Sequence, residues 1–431
     1  MEMNSPYQAD IAQSCMRKVA WRIVPVCAAL YLLAYLDRVN VGFAALTMNA
    51  DLQLSATAYG TAAGIFFVGY VLFEVPSNIL LARVGARIWL ARIIITWGLM
   101  SAAMALAQGA LSLSVLRFFL GVAEAGLLPG VLFYMAQWFP AARRTAILSS
   151  FFIALPTAFI IGAPISTAFL SLDWLGLHGW QWMFIIEGLF TAVVGVGVFL
   201  VMIDRPEQAK WLTEAERAWL TKTLADEYAA RGGEKVAGVR HGLMNPQVWL
   251  LGATYAGVIA TSGCFGFWLP LIIKSTGNHT NFEIGLLTAA PYAVSIFAIL
   301  LWSRHSAKTQ ELTWHICLPI ILAAIGFAWS ASTADPQLMM LIVFANVVLV
   351  YLVPPLFWAM ATKTMNGPAA AAGIALINCI ASTGSYFGPQ LMGYLKDRTN
   401  GFAAGLLMLC GFLLVSAALT FFVGRRVEAR A

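Results

Sequence analysis

Apolar residues run in long blocks from position 19 to position 424, and short polar or basic stretches divide the blocks at fairly even intervals. A helix that crosses a bilayer needs about 20 apolar residues, and continuous runs of that length, without a period-two alternation, predict spanning helices. Twelve such runs can be marked off: 19–48, 59–81, 88–108, 112–136, 146–171, 180–203, 246–273, 282–303, 312–331, 337–361, 370–395 and 401–424. The short polar stretch Gln108 to Ser114 separates the third from the fourth. One loop, 204–245, is far longer than the others and divides a first half at 19–203 from a second at 246–424, leaving tails at 1–18 and 425–431. Within that loop seven acids balance seven bases, and Thr213 with Glu216 has the spacing of a capping box. It predicts a linker helix through Trp219 and Leu224 that ends at Gly232 and Gly233. The expected fold is all-α and integral to the membrane, with twelve transmembrane helices in two pseudo-symmetric six-helix halves.

Composition agrees, since 60% of the 431 residues are hydrophobic and 11% charged, too few polar groups to cover a soluble protein of this size. Met1 to Met16 is polar and the bases Arg17, Lys18 and Arg22 lead directly into the first run, so the first span is expected to be retained rather than cleaved. With both termini placed in the cytoplasm, all but five of the 26 lysines and arginines fall on the cytoplasmic side or in the linker; the exceptions are Lys274, Lys396 and Arg398 opposite, and Arg38 and Arg117 within spans. That asymmetry is the positive-inside signature. The net charge of +6 therefore reports topology, and no nucleic-acid partner is expected. The six cysteines lie scattered without disulfide or metal-site spacing, and the five histidines form no catalytic or zinc constellation. No phosphate-binding Gly-x-x-x-x-Gly-Lys-Ser/Thr loop occurs, which argues against ATP as the driving force. Neither an enzyme nor a metal is expected.

The candidate chemistry is one-sided. Spans of the first half hold Asp37, Arg38, Glu74, Arg117, Glu124 and Glu187, and the second half has no comparable buried charge. A charge at mid-bilayer costs about 2.5–3.5 kcal/mol even on insertion scales, so such residues line a cavity, pair, or carry protons and substrate. Arg117 and Glu124 are seven residues apart, which returns to within about 20° of one helix face and separates them by about 10 Å. A guanidinium offers a planar fork to a carboxylate and keeps its proton, whereas a carboxylate can carry one. Asp37 and Arg38 allow the same division, although neighbours on a helix point about 100° apart. A structural alternative stays open, in which Asp37 neutralises Arg117 or Arg38 neutralises Glu124. Glu74, near the basic end at Arg83, reads as structural, and Glu187, without an adjacent base, as a packing or gating carboxylate. Tyr35 and Tyr70 are candidate cavity hydroxyls; Asn378, Ser382, Trp268 and Trp358 are the candidate neutral lining of the second half.

Several stretches carry a resemblance: Leu36-Asp37-Arg38-Val39-Asn40, Tyr70 with Val75-Pro76-Ser77-Asn78, Leu116-Arg117-Phe118, Gly121-Val122-Ala123-Glu124-Ala125-Gly126, Pro129-Gly130, Trp138-Phe139-Pro140 with Arg143-Arg144, Arg205-Pro206-Glu207, and Phe267-Trp268-Leu269-Pro270. The chain resembles the major facilitator superfamily, and within it the anion:cation symporters that import tartrate, aromatic carboxylates and sugar acids. The resemblance implies proton-coupled uptake of a small organic anion by alternating access across a bacterial inner membrane. It makes Asp37 and Glu124 proton carriers and gives Arg38 and Arg117 the substrate carboxylate, with Tyr35, Tyr70 and Asn378 completing the site. The proton is then the coupling ion, with sodium as an alternative; no other cofactor is implied, and a monomer in the lipid bilayer is expected. Two departures stand out. Ala82-Arg83-Val84-Gly85-Ala86-Arg87 lacks the acid usual in this superfamily's loop between spans two and three, and Leu155 replaces an amide found in sugar-acid members. The second points to a tartrate-like or aromatic acid. Rival expectations are efflux of drugs or metabolites on the same fold, against which Gly162-Ala163-Pro164-Ile165-Ser166 lacks the full antiporter signature, and a transporter-like membrane sensor.

Overall fold

The computed structural model describes residues 6–140, 154–230, 246–364 and 369–428. These residues are helical almost throughout, with one isolated bridge between Trp174 and Leu177 and no strand among them. The first half comprises α1 (Pro6–Asp51), α2 (Ala56–Val84), α3 (Ala86–Ala103), α4 (Ala110–Glu124), α5 (Leu127–Ala136), α6 (Ala154–Phe169) and α7 (Gly179–Val201). The linker helix α8 (Glu214–Ala230) follows. The second half comprises α9 (Pro246–Lys274), α10 (Asn281–Thr309), α11 (Thr313–Ser332), α12 (Pro336–Tyr351), α13 (Val353–Thr364), α14 (Ala369–Thr399) and α15 (Ala403–Glu428). Ten helical stretches among the described residues are long and apolar enough to cross a membrane. The shorter α6 and the less apolar α14 fill the fifth and eleventh places. α14 packs between α2 and α9 and exposes Phe387, Leu391 and Tyr394 on its outer face.

Two spans are broken. The fourth divides into α4 and α5 at Ala125 and Gly126, directly after Glu124, and Gly126 adopts a left-handed φ of 89° that suits a residue without a side chain. The tenth divides into α12 and α13 at Leu352, just before Pro354 and Pro355. Proline cannot donate to the helical ladder, which makes such a position a natural break. α2 and α4 approach closely because Gly69 faces the Phe118 carbonyl and Gly121 faces the Phe66 carbonyl; a methyl group at either would collide with backbone. Small residues at such crossings are how membrane helices gain packing contact without a hydrophobic drive between them.

The first helix begins at Pro6, well ahead of the expected start at residue 19. Its polar extension is held by the linker: Glu216 accepts from Ser14 Oγ at 2.8 Å and from Lys18 Nζ at 2.8 Å and 2.9 Å. The expected capping box is present, with Thr213 N–H donating to Glu216 Oε2 at 2.9 Å and Glu216 N–H to Thr213 Oγ1 at 3.2 Å. Burial works against the Glu216 charge, but the Lys18 ammonium and the Thr213 and Ser14 donors outweigh it and hold its pKa down to about 2. The clamp is therefore ionic through the whole neutral range. The expected helix end at Gly232 and Gly233, and the start of the fifth span at 146, lie outside the described residues.

An acid from far along the chain meets the start of the third span. Asp204, just after α7, accepts the Arg87 N–H at the start of α3 at 2.8 Å and lies against Gly85, whose φ is 100°. A carboxylate there satisfies a donor of the first turn and complements the helix dipole.

Candidate functional site

The six charges predicted inside the first half separate into distinct groups. Arg38, on α1, reaches across to the last residue of α4: its Nε and Nη2 lie 2.7 Å and 2.6 Å from Glu124 Oε1. Both contacts use the same oxygen, and Glu124 Oε2 is buried without a hydrogen-bond partner among the described residues. The Arg38 guanidinium sits among the rings of Tyr70 at 4.8 Å, Tyr35 at 5.3 Å and Phe66 at 5.5 Å. Cations are attracted to such ring faces. Tyr35 also accepts from the Tyr31 hydroxyl at 3.3 Å. The expected grouping of Arg38, Tyr35 and Tyr70 is thus one cluster, and the alternative pairing of Arg38 with Glu124 exists within it.

Arg117 shares the Phe66 ring with Arg38 but makes no ion pair among the described residues. It is fully buried, its Nη2 donates to the Ala63 carbonyl at 3.3 Å, and its Nε and Nη1 find no acceptor among the described residues. Phe66 from the first half and Phe267 from the second flank it at 4.9 Å and 5.8 Å. Leaving a buried charged donor unpaired costs several kcal/mol, and an acceptor placed at these two nitrogens would lower that cost.

Asp37 points elsewhere, into the first half. It accepts from Ser101 Oγ at 2.8 Å, Asn40 Nδ2 at 3.1 Å and Thr191 Oγ1 at 3.1 Å. The suggested Asp37–Arg117 pair is absent among the described residues, because the roughly 100° between neighbours on a helix sends Asp37 towards α3 and α7 while Arg38 faces α4. Asn40 also donates to Glu187 Oε2 at 3.1 Å, and Ser166 Oγ donates to Glu187 Oε1 at 2.6 Å. Glu187 therefore belongs with Asp37 through one shared amide. Sequence reasoning missed Asn40 in this role. Its signal was the three-residue spacing from Asp37, which puts the two on one helix face.

Glu74, read as structural, is buried on α2 and meets the second half through Cys379 Sγ at 3.7 Å. On the same helix, Asn378 and Ser382 flank Cys379, are half-buried and share a face four residues apart. Trp358 is half-buried beside Tyr255 and Phe357, whose rings stack at 4.2 Å. Tyr292 stacks on Phe159 of α6 at 3.9 Å and meets Tyr351 edge-on. This aromatic wall was legible only in Trp358. The Leu155 side chain lies outside the described residues.

Trp268 corrects its expected place as lining of the central site. It is fully buried towards the end of the bundle opposite the linker, where its Nε1–H donates to the Pro389 carbonyl at 3.2 Å and Tyr59 meets its ring edge-on at 5.0 Å. The halves close at that end. Tyr59 Oη donates to the Phe267 carbonyl at 2.8 Å, and Lys274 Nζ donates to the Leu46 carbonyl. Asp397, at the end of α14, accepts from the Ala56 N–H at 3.0 Å, the Thr57 N–H at 2.7 Å and the Thr57 hydroxyl at 2.6 Å. A second-half carboxylate thus caps a first-half helix.

Residues 27–389 match the model of the Major Facilitator Superfamily. The chain belongs to that superfamily. A provisionally named tartrate transporter of Agrobacterium vitis is 48% identical over 418 residues, covering 96% of this chain and 92% of that protein. A quinolone resistance transporter of Acinetobacter baumannii is 37% identical over 420 residues, covering 97% of each chain. Among solved structures, a bacterial homologue of the human lysosomal transporter Spinster, crystallised inward-facing and unoccupied, aligns with a TM-score of 0.76 over 95% of this chain and 98% of that one. At 16% identity that likeness shows the fold alone. Membership makes this superfamily chain a multi-pass membrane transporter and not an enzyme.

The Asp397 cap should hold the closed end shut. Burial opposes the Asp397 charge, but the Thr57 hydroxyl and the Thr57 and Ala56 amides outweigh it and keep its pKa below the usual carboxylate range. A depressed pKa contributes stability above the ordinary value that disappears as pH falls through the lowered one, so the cap should persist at neutral pH and weaken only in acid. Removing such a cap costs about 0.5–2 kcal/mol, which shifts the open-to-closed ratio by about 2- to 30-fold. Spin labels at Leu175 and Gln337 should report a longer-distance population in Asp397→Ala at neutral pH. An unchanged distance distribution would show that other contacts hold this end.

Proposed function

We propose that this chain is a proton-coupled symporter that imports a small organic carboxylate, of the tartrate or aromatic-acid class, by alternating access between its two halves. The observation that carries the reading is Arg117, fully buried with two donors that have no partner among the described residues, beside an Arg38–Glu124 pair in which one carboxylate oxygen likewise has none. With Glu124 ionised the two arginines exceed the acid by one charge, and with Glu124 protonated by two. A proton arriving at Glu124 frees the Arg38 fork, so a dicarboxylate then finds two guanidiniums and no competing acid. Proton and substrate thereby favour each other's binding, which is what symport requires. The relative named for tartrate supports this substrate class, and the concentration of lysine and arginine on the side of the termini supports placing both termini in the cytoplasm.

Right-side-out membrane vesicles should take up labelled tartrate or benzoate faster when the external pH is lowered, and a protonophore should collapse the accumulation. Accumulation indifferent to the protonophore would remove the proton coupling. The relative named for quinolone resistance favours a second reading, efflux on the same fold. Everted vesicles separate the two, because an exporter would concentrate its substrate in them under an imposed proton gradient and an importer would not.

A further inference from the structure

A cavity of about 620 Å³ lies at the closed end, lined by both halves but by neither Arg38 nor Arg117. Its volume falls within the usual range for small-molecule sites, about 300–1,000 Å³. The first half contributes Asn49 from the end of α1, and the second contributes Lys274 from the end of α9 and Lys396 with Asn400 from the end of α14 and its following loop. No carboxylate occurs among the residues that line it. The nearby acids are engaged elsewhere: Asp397 caps α2, and Asp51 accepts from the Trp180 indole at 2.8 Å. Lys396 is half-buried with its ammonium over Phe402 at 4.8 Å and Trp268 at 5.9 Å. Lys274 spends one donor on the Leu46 carbonyl and has two others. Asn49 Oδ1 is buried without a partner among the described residues, and its amide can turn to offer N–H instead. These two lysines are also two of the three bases that the sequence places on this face of the protein.

We propose that this cavity is a second anion site, for a small organic dicarboxylate, separate from the arginine site. Each carboxylate meets an ammonium group, Asn49 and Asn400 supply amide donors, and Leu54, Leu271 and Met339 give the apolar floor. Because the lining comes from both halves, the site exists only while this end is closed. A ligand there stabilises that conformation by its differential affinity, so a high concentration of the anion on this side slows return to the state open towards it. The proposal rests on the transport reading only for the choice of tartrate as probe.

Protein in nanodiscs of zwitterionic lipid should be treated with an amine-acylating reagent and digested, and modification of Lys274 and Lys396 followed by mass spectrometry. Tartrate at about four times its dissociation constant should slow acylation of both by about fivefold, since the free fraction falls as one plus the ligand ratio. Threitol, the uncharged analogue, should not. The same protection should persist in Arg117→Gln, which disables the arginine site, so a failed transport reading leaves this measurement intact. In vesicles, uptake should fall at high external tartrate, and Lys274→Gln with Lys396→Gln should relieve the fall. Lysine acylation indifferent to tartrate would overturn the proposal, as would protection that threitol reproduces or that needs anionic lipid in place of tartrate.

Discussion

Glu124→Gln is expected to lose concentrative uptake while still exchanging substrate down its own gradient. In a symporter coupled to one proton, each pH unit across the membrane supplies 1.36 kcal/mol, a factor of about ten in accumulation. Wild-type vesicles with an imposed gradient of about one unit should therefore approach tenfold accumulation of tartrate, and the variant should stop at equality. The geometry gives the reason. Glutamine at 124 keeps a carbonyl oxygen that can accept from Arg38 but can neither ionise nor release a proton, so the Arg38 fork, now 2.6–2.7 Å from one carboxylate oxygen, no longer depends on protonation. Counterflow of labelled tartrate separates this from simple misfolding, since exchange needs binding and rocking but no net proton movement. Accumulation equal to wild type would move the coupling role away from Glu124. Asp37 would then be the next candidate, held by Ser101, Thr191 and Asn40 and joined through Asn40 to Glu187.

Arg117→Gln should show opposite effects on binding and on stability. Truncating one partner of a buried charge pair costs about 2–5 kcal/mol of affinity, which is about 30-fold or more in the dissociation constant. In the absence of substrate, however, Arg117 is a fully buried cation whose Nε and Nη1 have no partner among the described residues, and glutamine there removes the desolvation cost of an uncompensated buried charge. Titration of purified protein with tartrate should therefore show the affinity loss, while thermal unfolding of the ligand-free variant should occur at an equal or higher temperature. Arg117→Lys should recover little of the binding, because an ammonium cannot present the planar fork. If the variant binds tartrate like the wild type, or if ligand-free protein is strongly destabilised, Arg117 is a structural residue.

How far the site was legible differs from residue to residue. The seven-residue spacing of Arg117 and Glu124 put both on one face of a span, and the structure buries both there beside Leu120 and Gly121, yet their partners lie on other helices. Arg38 takes Glu124, while Arg117 is left to the Ala63 carbonyl and two phenylalanine rings. Glu187 had no visible partner in the sequence because its contacts, Ser166 and Asn40, are 21 and 147 residues away. Trp268 was misplaced because a span's sequence gives the face of a residue more readily than its depth relative to other helices. Asp204 shows the same limit in reverse: an acid from 117 residues later meets the start of the third span and performs a capping role that no local pattern indicates.

The sequence by itself determined the number and order of spans, the two equal halves, the linker helix with its capping box, and the confinement of buried charge to the first half. Each of these follows from local properties: run length against bilayer thickness, the cost of charge in lipid, and the spacing of a cap. Tertiary structure alone decided which charges pair, which end is closed, and where a second cavity lies. These depend on the rotation and depth of each helix against its neighbours, which close contacts such as Gly69 with Phe118 and Gly121 with Phe66 set, and a hydrophobic run constrains neither.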